Sequence, residues 1–236
     1  MEHAALIPRY TSTNLIFDPE THTSQLPDGR DVPHVTAVLQ AVGVSTNFDD
    51  MASMYPRMRR AIRSARDLGS AVHADCHAFD DDDLDLNNVD HRVRPYVDAW
   101  IQFRTDKNVA PIAHGRERLV FHAVFNFAGI LDGIFAREHD EGSGSFSPRV
   151  LIDIKTGDPY DAGARWQTAA YLIAWLSERP WDEHRYDRWA VWLRPKLRVP
   201  YRIVSYTQDA LSHMRDQDEF EAFLTTYRCQ IQRQRR

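Results

Sequence analysis

The stretch Val150-Leu151-Ile152-Asp153-Ile154-Lys155-Thr156-Gly157 reads as an apolar strand that ends in a charged pair. Strand alternation puts Asp153 and Lys155 on one face, roughly 6.6 Å apart along the chain, with Ile152 and Ile154 on the other. A carboxylate and an ammonium at the end of an apolar strand are costly to desolvate unless something uses them. Taken alone, they also fit a surface ion pair. The stretch Gly129-Ile130-Leu131-Asp132-Gly133-Ile134-Phe135 adds a second carboxylate, in an otherwise apolar strand where an edge or turn aspartate is the plainer explanation. Two strand-borne carboxylates offer the hard oxygen ligands that Mg²⁺ or Mn²⁺ takes. A lysine beside them suits charge developing on a phosphodiester, or the positioning of an attacking water. Gln167 and Tyr171, four residues apart, project from one face of the helix expected directly after this strand.

Working outward, residues 1–48 read as an extended lead-in, with short apolar pieces at 15–17 and 35–38 and a turn at Pro27-Asp28-Gly29. Apolar residues at spacings of three and four predict a helix over 55–79. Asp80-Asp81-Asp82-Asp83-Leu84-Asp85 then reads as an exposed, solvated acidic loop. Further helices are expected over 91–106, 161–177 and 209–228. Strands are expected over 117–124, 127–135, 150–155, 189–194 and 201–206, with a flexible Gly/Ser loop at 141–145. A basic tail, 230–236, closes the chain. No repeat or linker divides it, so the expectation is a single α/β domain: a central mixed β-sheet flanked by helices.

The 236 residues carry 29 Lys+Arg against 34 Asp+Glu, a net charge of −5, which argues against coating nucleic acid by bulk charge. Only Lys107, Lys155 and Lys196 are lysines; the other 26 cations are arginines. Two cysteines, Cys76 and Cys229, exclude a disulfide framework and a self-contained four-cysteine zinc or iron–sulfur site. The opening Met1–Pro8 lacks the features of a signal peptide, and the longest apolar run, 169–176, is too short to span a bilayer. A cytoplasmic protein without a membrane partner is expected.

Four pieces, in order over residues 69–171, carry a specific resemblance: Gly69-Ser70-Ala71-Val72-His73, Gly129-Ile130-Leu131-Asp132, Asp153-Ile154-Lys155-Thr156-Gly157 and Gln167-Thr168-Ala169-Ala170-Tyr171. The set resembles the PD-(D/E)xK nuclease superfamily, and within it the RecB-like and phage-type exonuclease branch. The lead-in Leu26-Pro27-Asp28-Gly29 with Val35-Thr36-Ala37-Val38-Leu39 is similar, less specifically, to the opening of phage-type members.

The resemblance implies a restriction-endonuclease-like core, with the nuclease core over 49–206, and a Mg²⁺- or Mn²⁺-dependent deoxyribonuclease. An exonuclease is favoured, in phage or bacterial recombination, repair or DNA processing. Asp132 and Asp153 would hold the metal, with the backbone carbonyl of Ile154 and with His73 as further ligands. Lys155 would contact the scissile phosphate and the nucleophilic water, and Gln167 and Tyr171 would orient the site. Glu117 stands where many members carry an acidic residue. The acidic residue of the Asp-x-Lys motif is aspartate where many members have glutamate. The cluster-holding cysteines of some relatives are absent, so no iron–sulfur cluster is expected. DNA is the implied partner, with a single-strand annealing or recombination protein as a second; oligomeric state is left open. The rival expectations are an inactive DNA-binding or scaffold protein of the same fold, and a restriction-type endonuclease.

His73-Ala74-Asp75-Cys76-His77 also offers two histidines four apart beside a cysteine, which suggests zinc. It lacks the glutamate of the metalloprotease motif, and no fourth soft ligand lies nearby in sequence. For nucleic-acid contact the candidates are Arg59, Arg63 and Arg66 on one helix face, and Arg194, Lys196 and Arg198 around the last hairpin. Arg185, Arg188, Arg202, Arg228 and the terminal arginines extend these groups. Tyr55, Trp166 and Trp181 are candidates for stacking on bases.

Overall fold

The computed structural model describes residues 15–18, 21, 23–137, 148–157, 162–207 and 210–234. The first elements are three short strands, β1 (Ile16–Asp18), β2 (Thr23–Gln25) and β3 (Asp31–Val32), paired antiparallel in that order. Helices α1 (Val35–Ala41) and α2 (Phe48–Met54) follow, then a 3₁₀ turn at Pro56–Met58 and the long α3 (Arg59–Asp80). After α4 (Arg94–Lys107) come β4 (Val109–His122), β5 (Phe127–Arg137) and β6 (Arg149–Lys155). The chain then runs through α5 (Gly163–Ser177), β7 (Tyr186–Leu193), β8 (Tyr201–Ser205) and α6 (Ala210–Gln234).

Strands β4 to β8 form one five-stranded mixed sheet in sequence order. Every neighbouring pair is antiparallel except β6 and β7, which run parallel with Ile152 opposite Trp189. A parallel pair needs a crossover, and α5 supplies it. This places α5 directly after the Asp153–Lys155 end of β6.

The five residues inside β6, Val150 to Ile154, are all buried, because helices cover both faces of the sheet. Leu151 packs with α1, α5 and α6 residues such as Val38, Tyr171, Trp175 and Phe220. Val150, Ile152 and Ile154 pack with Val72, Trp100 and Phe103 of α3 and α4 on the other side. Asp153 and Lys155 share the parity of Leu151 and so face α5.

Several expectations need correcting. The described part of the N-terminal stretch is not an extended lead-in. It contains the small sheet and α1, whose Val35, Val38 and Leu39 are fully buried against the core. The acidic run is not simply solvated: Asp80 ends α3 and pairs with Arg104 and the Trp100 indole N–H, and Asp81 pairs with Arg116. The basic tail is helical through Gln234, since α6 continues past residue 228. Strand β4 begins eight residues before position 117 and is bulged between Pro111 and Arg116. The 141–145 loop, Met1–Pro8 and the last two arginines lie outside the described residues. Among the described residues no helix is long and apolar enough to cross a membrane.

Candidate functional site

The end of β6 is brought to β5 by the register Gly133↔Ile152, which carries Asp132 and Asp153 to adjacent positions one step further along. The Ile154 backbone N–H donates to Asp132 Oδ2 at 2.7 Å. This contact fixes the carboxylate and leaves Oδ1 3.3 Å from His73 Nδ1 of α3. Ile154 thus enters the site through its N–H. The side chains of His73 and Asp132 keep 22% and 15% of their exposure, enough for an ion or water to reach them.

Two motif glycines explain how these elements approach. A Cβ on Gly69 would sit 3.2 Å from Thr156 Oγ1, so this glycine lets α3 pass close to the end of β6. A Cβ on Gly129 would lie 2.4 Å from Tyr171 Cε1. The first glycine of the Gly-x-x-Asp piece therefore makes room for the tyrosine of the Gln-x-x-x-Tyr piece.

Lys155 is the link to α5. Its ammonium lies 2.8 Å from Asp153 Oδ2 and donates to Gln167 Oε1 at 2.9 Å. Gln167 Nε2 in turn donates to the Tyr171 hydroxyl at 3.0 Å. Helical spacing stacks Gln167 and Tyr171 on one face, so this relay holds the ammonium from the α5 side.

The electrostatics follow from burial and close charges. Burial pushes the Asp153 carboxyl up to about 6, with Lys155 opposing and Asp132 adding to the rise. Burial also acts to raise Asp132, but His73 outweighs it and draws the carboxyl down to about 2. For His73, burial alone would depress the imidazole, and Asp132 reverses the direction to a net rise. Burial lifts the Tyr171 phenol far above its ordinary range, so it acts as a neutral hydrogen-bonding group.

The cluster with metal-ligand geometry among the described residues is His73, His77 and Asp132, whose donor atoms lie within 4.8 Å of one another. His73 Nδ1 and Asp132 Oδ1, 3.3 Å apart, already stand at about the separation of neighbouring ligands on one ion with bonds of about 2.0–2.2 Å, and a small shift of the third donor lets the set fit a divalent cation. It differs from the sequence expectation in two ways. Asp153 stands outside the cluster, paired to Lys155. Glu117 is also outside it, although it is buried and lies between the pairs Arg116↔Gly133 and Arg118↔Leu131, abreast of Asp132. Its φ of 41° marks the irregular stretch of β4 beside the site. His77 joins the cluster in place of these carboxylates, and its spacing of four from His73 is the signal the sequence carries for it. Cys76 is not part of the cluster. It is fully buried among the α3–α4 core residues, and burial raises its thiol well above the usual value.

The arginine groups divide. Arg59, Arg63 and Arg66 are exposed along the first half of α3, with Arg59 also donating to the Ala52 carbonyl. Lys196 and Arg198 are exposed in the β7–β8 turn, and Arg194 is half-buried. Arg188 is structural: it is fully buried, donates to the Arg165 and Tyr206 carbonyls, and meets Asp216 Oδ2 at 2.5 Å. Arg228 donates to the Phe125 and Asn126 carbonyls. Tyr55 and Trp181 are exposed, whereas the Trp166 indole packs on Phe223 and donates to Glu219.

No family model matches the sequence, and no curated protein matches it.

Proposed function

We propose that the protein is a metal-dependent DNA nuclease of the PD-(D/E)xK type, in the RecB-like or phage-exonuclease branch, with a restriction-endonuclease-like core. The observation that carries the reading is the convergence of the four motif pieces on the end of β6. His73, Asp132, Asp153, Lys155, Gln167 and Tyr171 come from four different elements and are linked by contacts of 2.7–3.3 Å.

His73 and Asp132 are the groups that would hold the cation. A bound divalent ion supplies Lewis-acid stabilisation of phosphate charge and lowers the pKa of a coordinated water. The Ile154 N–H keeps Asp132 oriented. Lys155, held by Asp153 on one side and Gln167 on the other, presents its ammonium to a phosphate oxygen and to the attacking water. Tyr171 anchors Gln167, and so fixes where that ammonium points. Hydrolysis then proceeds by attack of water, which gives up a proton, on phosphorus; the P–O bond to the leaving nucleotide breaks and its oxygen takes up a proton from solvent, with no covalent enzyme intermediate.

The approach of DNA is supported by the register of α3. Arg59, Arg66 and His73 recur every seven residues, and a heptad step drifts only about 20° around a helix. Exposed arginines therefore form a row that leads along α3 toward the histidines.

The test is incubation of linear DNA, labelled at each end in turn, with Mn²⁺ or Mg²⁺. The wild type is expected to release nucleotides from an end, to leave a closed supercoiled circle intact, and to stop on chelation. Asp132→Ala should be inactive. Cleavage that persists in Asp132→Ala or in excess chelator would refute the reading, and nicking of the closed circle would make it an endonuclease.

A further inference from the structure

We propose that His77 is a direct ligand of the cation held by His73 and Asp132, and that this second imidazole makes the site select a nitrogen-accepting transition ion over Mg²⁺. The ion belongs to the site of the proposed nuclease, so its catalytic consequence rests on that reading; its binding does not.

The histidines sit four apart on α3, one above the other on the same face, with ring centroids 6.3 Å apart. Both present a nitrogen within 4.8 Å of the other's and of an Asp132 oxygen. His77 is only 2% exposed, so its ring is committed to this interior position and is not a surface side chain that happens to lie nearby. On the opposite side, one Asp132 oxygen accepts from the Ile154 N–H, and Asp153 Oδ2 lies 2.8 Å from the Lys155 ammonium. Neither Asp153 nor Glu117 places an oxygen in the cluster formed by the two histidines and Asp132. The donor set is then two nitrogens and one carboxylate.

Mg²⁺ sheds water reluctantly and takes oxygen ligands in near-ideal octahedral geometry. Imidazole suits first-row transition ions, and two histidines with one carboxylate and open positions is a transition-metal arrangement. A buried second imidazole therefore tilts the site away from Mg²⁺. Cys76, packed into the α3–α4 core, does not supply a thiolate that would turn the site toward a closed structural zinc centre.

The experiment uses the full chain stripped of metal, without DNA. Mn²⁺ binding is followed by loss of the free-ion electron paramagnetic resonance signal, and nitrogen ligation by electron spin echo modulation. The wild type should bind one Mn²⁺ with two histidine nitrogen couplings and keep most of it against about a hundredfold excess of Mg²⁺, while Zn²⁺ should displace it. His77→Ala should lose one coupling and at least about tenfold in Mn²⁺ affinity. Circular dichroism identifies a variant that fails to fold; His77→Asn, which keeps a polar side chain of similar reach, carries the same expectation. A folded His77 variant with unchanged affinity and two couplings would overturn the proposal, as would equal competition by Mg²⁺. Two-nitrogen Mn²⁺ binding by a protein that never cuts DNA would sustain this inference and sink the nuclease reading. Cleavage with Mg²⁺ by a protein showing no His77 coupling would do the reverse.

Discussion

Gly129 lacks a side chain where Tyr171 Cε1 would stand 2.4 Å from a Cβ. Gly129→Ala must push the Tyr171 ring aside, which loosens Gln167 and, through it, Lys155. Overpacking of this kind costs about 1–3 kcal/mol. Urea denaturation should show that loss, together with a fall in cleavage rate. Asp80 supplies a second test at this scale. Burial raises its carboxyl from 3.8 to about 6, with Arg104 pulling the other way. Because the folded pKa lies above the unfolded one, its contribution to stability is complete below pH 3.8. It is lost as pH rises through about 6. The stability difference between wild type and Asp80→Asn should therefore shift against the wild type between pH 4 and 6 and level off above. A difference that stays constant across this window contradicts the assignment. Single residues were legible in sequence where their partners lie close along the chain, as Asp153, Lys155, Gln167 and Tyr171 do. Asp80 and Arg188 were not, because their partners Arg104 and Asp216 are 24 and 28 residues away.

At the scale of elements, α3 joins two roles: an arginine row in its first half and the histidine pair in its second. If the row holds phosphates, Arg63→Ala and Arg66→Ala should weaken DNA binding with little dependence on sequence. Each should lower the salt slope of log K by about 0.9. Fluorescence anisotropy at several salt concentrations reads both; unchanged slopes would leave the row a solvated helix face. Helix α3 was legible because apolar residues recur along it at helical spacing. The N-terminal sheet was not, since strands of two or three residues give too little alternation to read. The continuation of α6 was masked by its polar end, where Gln230, Gln232 and Arg233 suggest a tail although the backbone remains helical.

Over the whole molecule, the mixed sheet follows from sequence. One helix between two apolar strands, β6 and β7, calls for a parallel crossover, and hairpin-like spacings elsewhere give antiparallel neighbours. The α/β architecture was therefore readable, whereas the packing of α1 and the small sheet depended on contacts between distant segments. The same long-range packing decides which ligands meet. Sequence spacing offered His73 to two sites at once, and only the fold gathers His77 and Asp132 beside it while Lys155 claims Asp153. The net charge of −5 is a poor guide at this scale, because it does not register where charges sit: Asp80 and Asp81 are held by Arg104 and Arg116, while Arg59, Arg63 and Arg66 stand exposed on α3. One of only three lysines stands at the centre of the site. The most direct measurement is therefore the single-turnover rate of linear DNA cleavage by Lys155→Ala at saturating Mn²⁺, with melting temperature and Mn²⁺ binding read on the same samples. The proposed mechanism predicts a rate at least about a hundredfold below wild type with fold and metal retained. A folded, metal-bound Lys155→Ala that cleaves as fast as the wild type would contradict it.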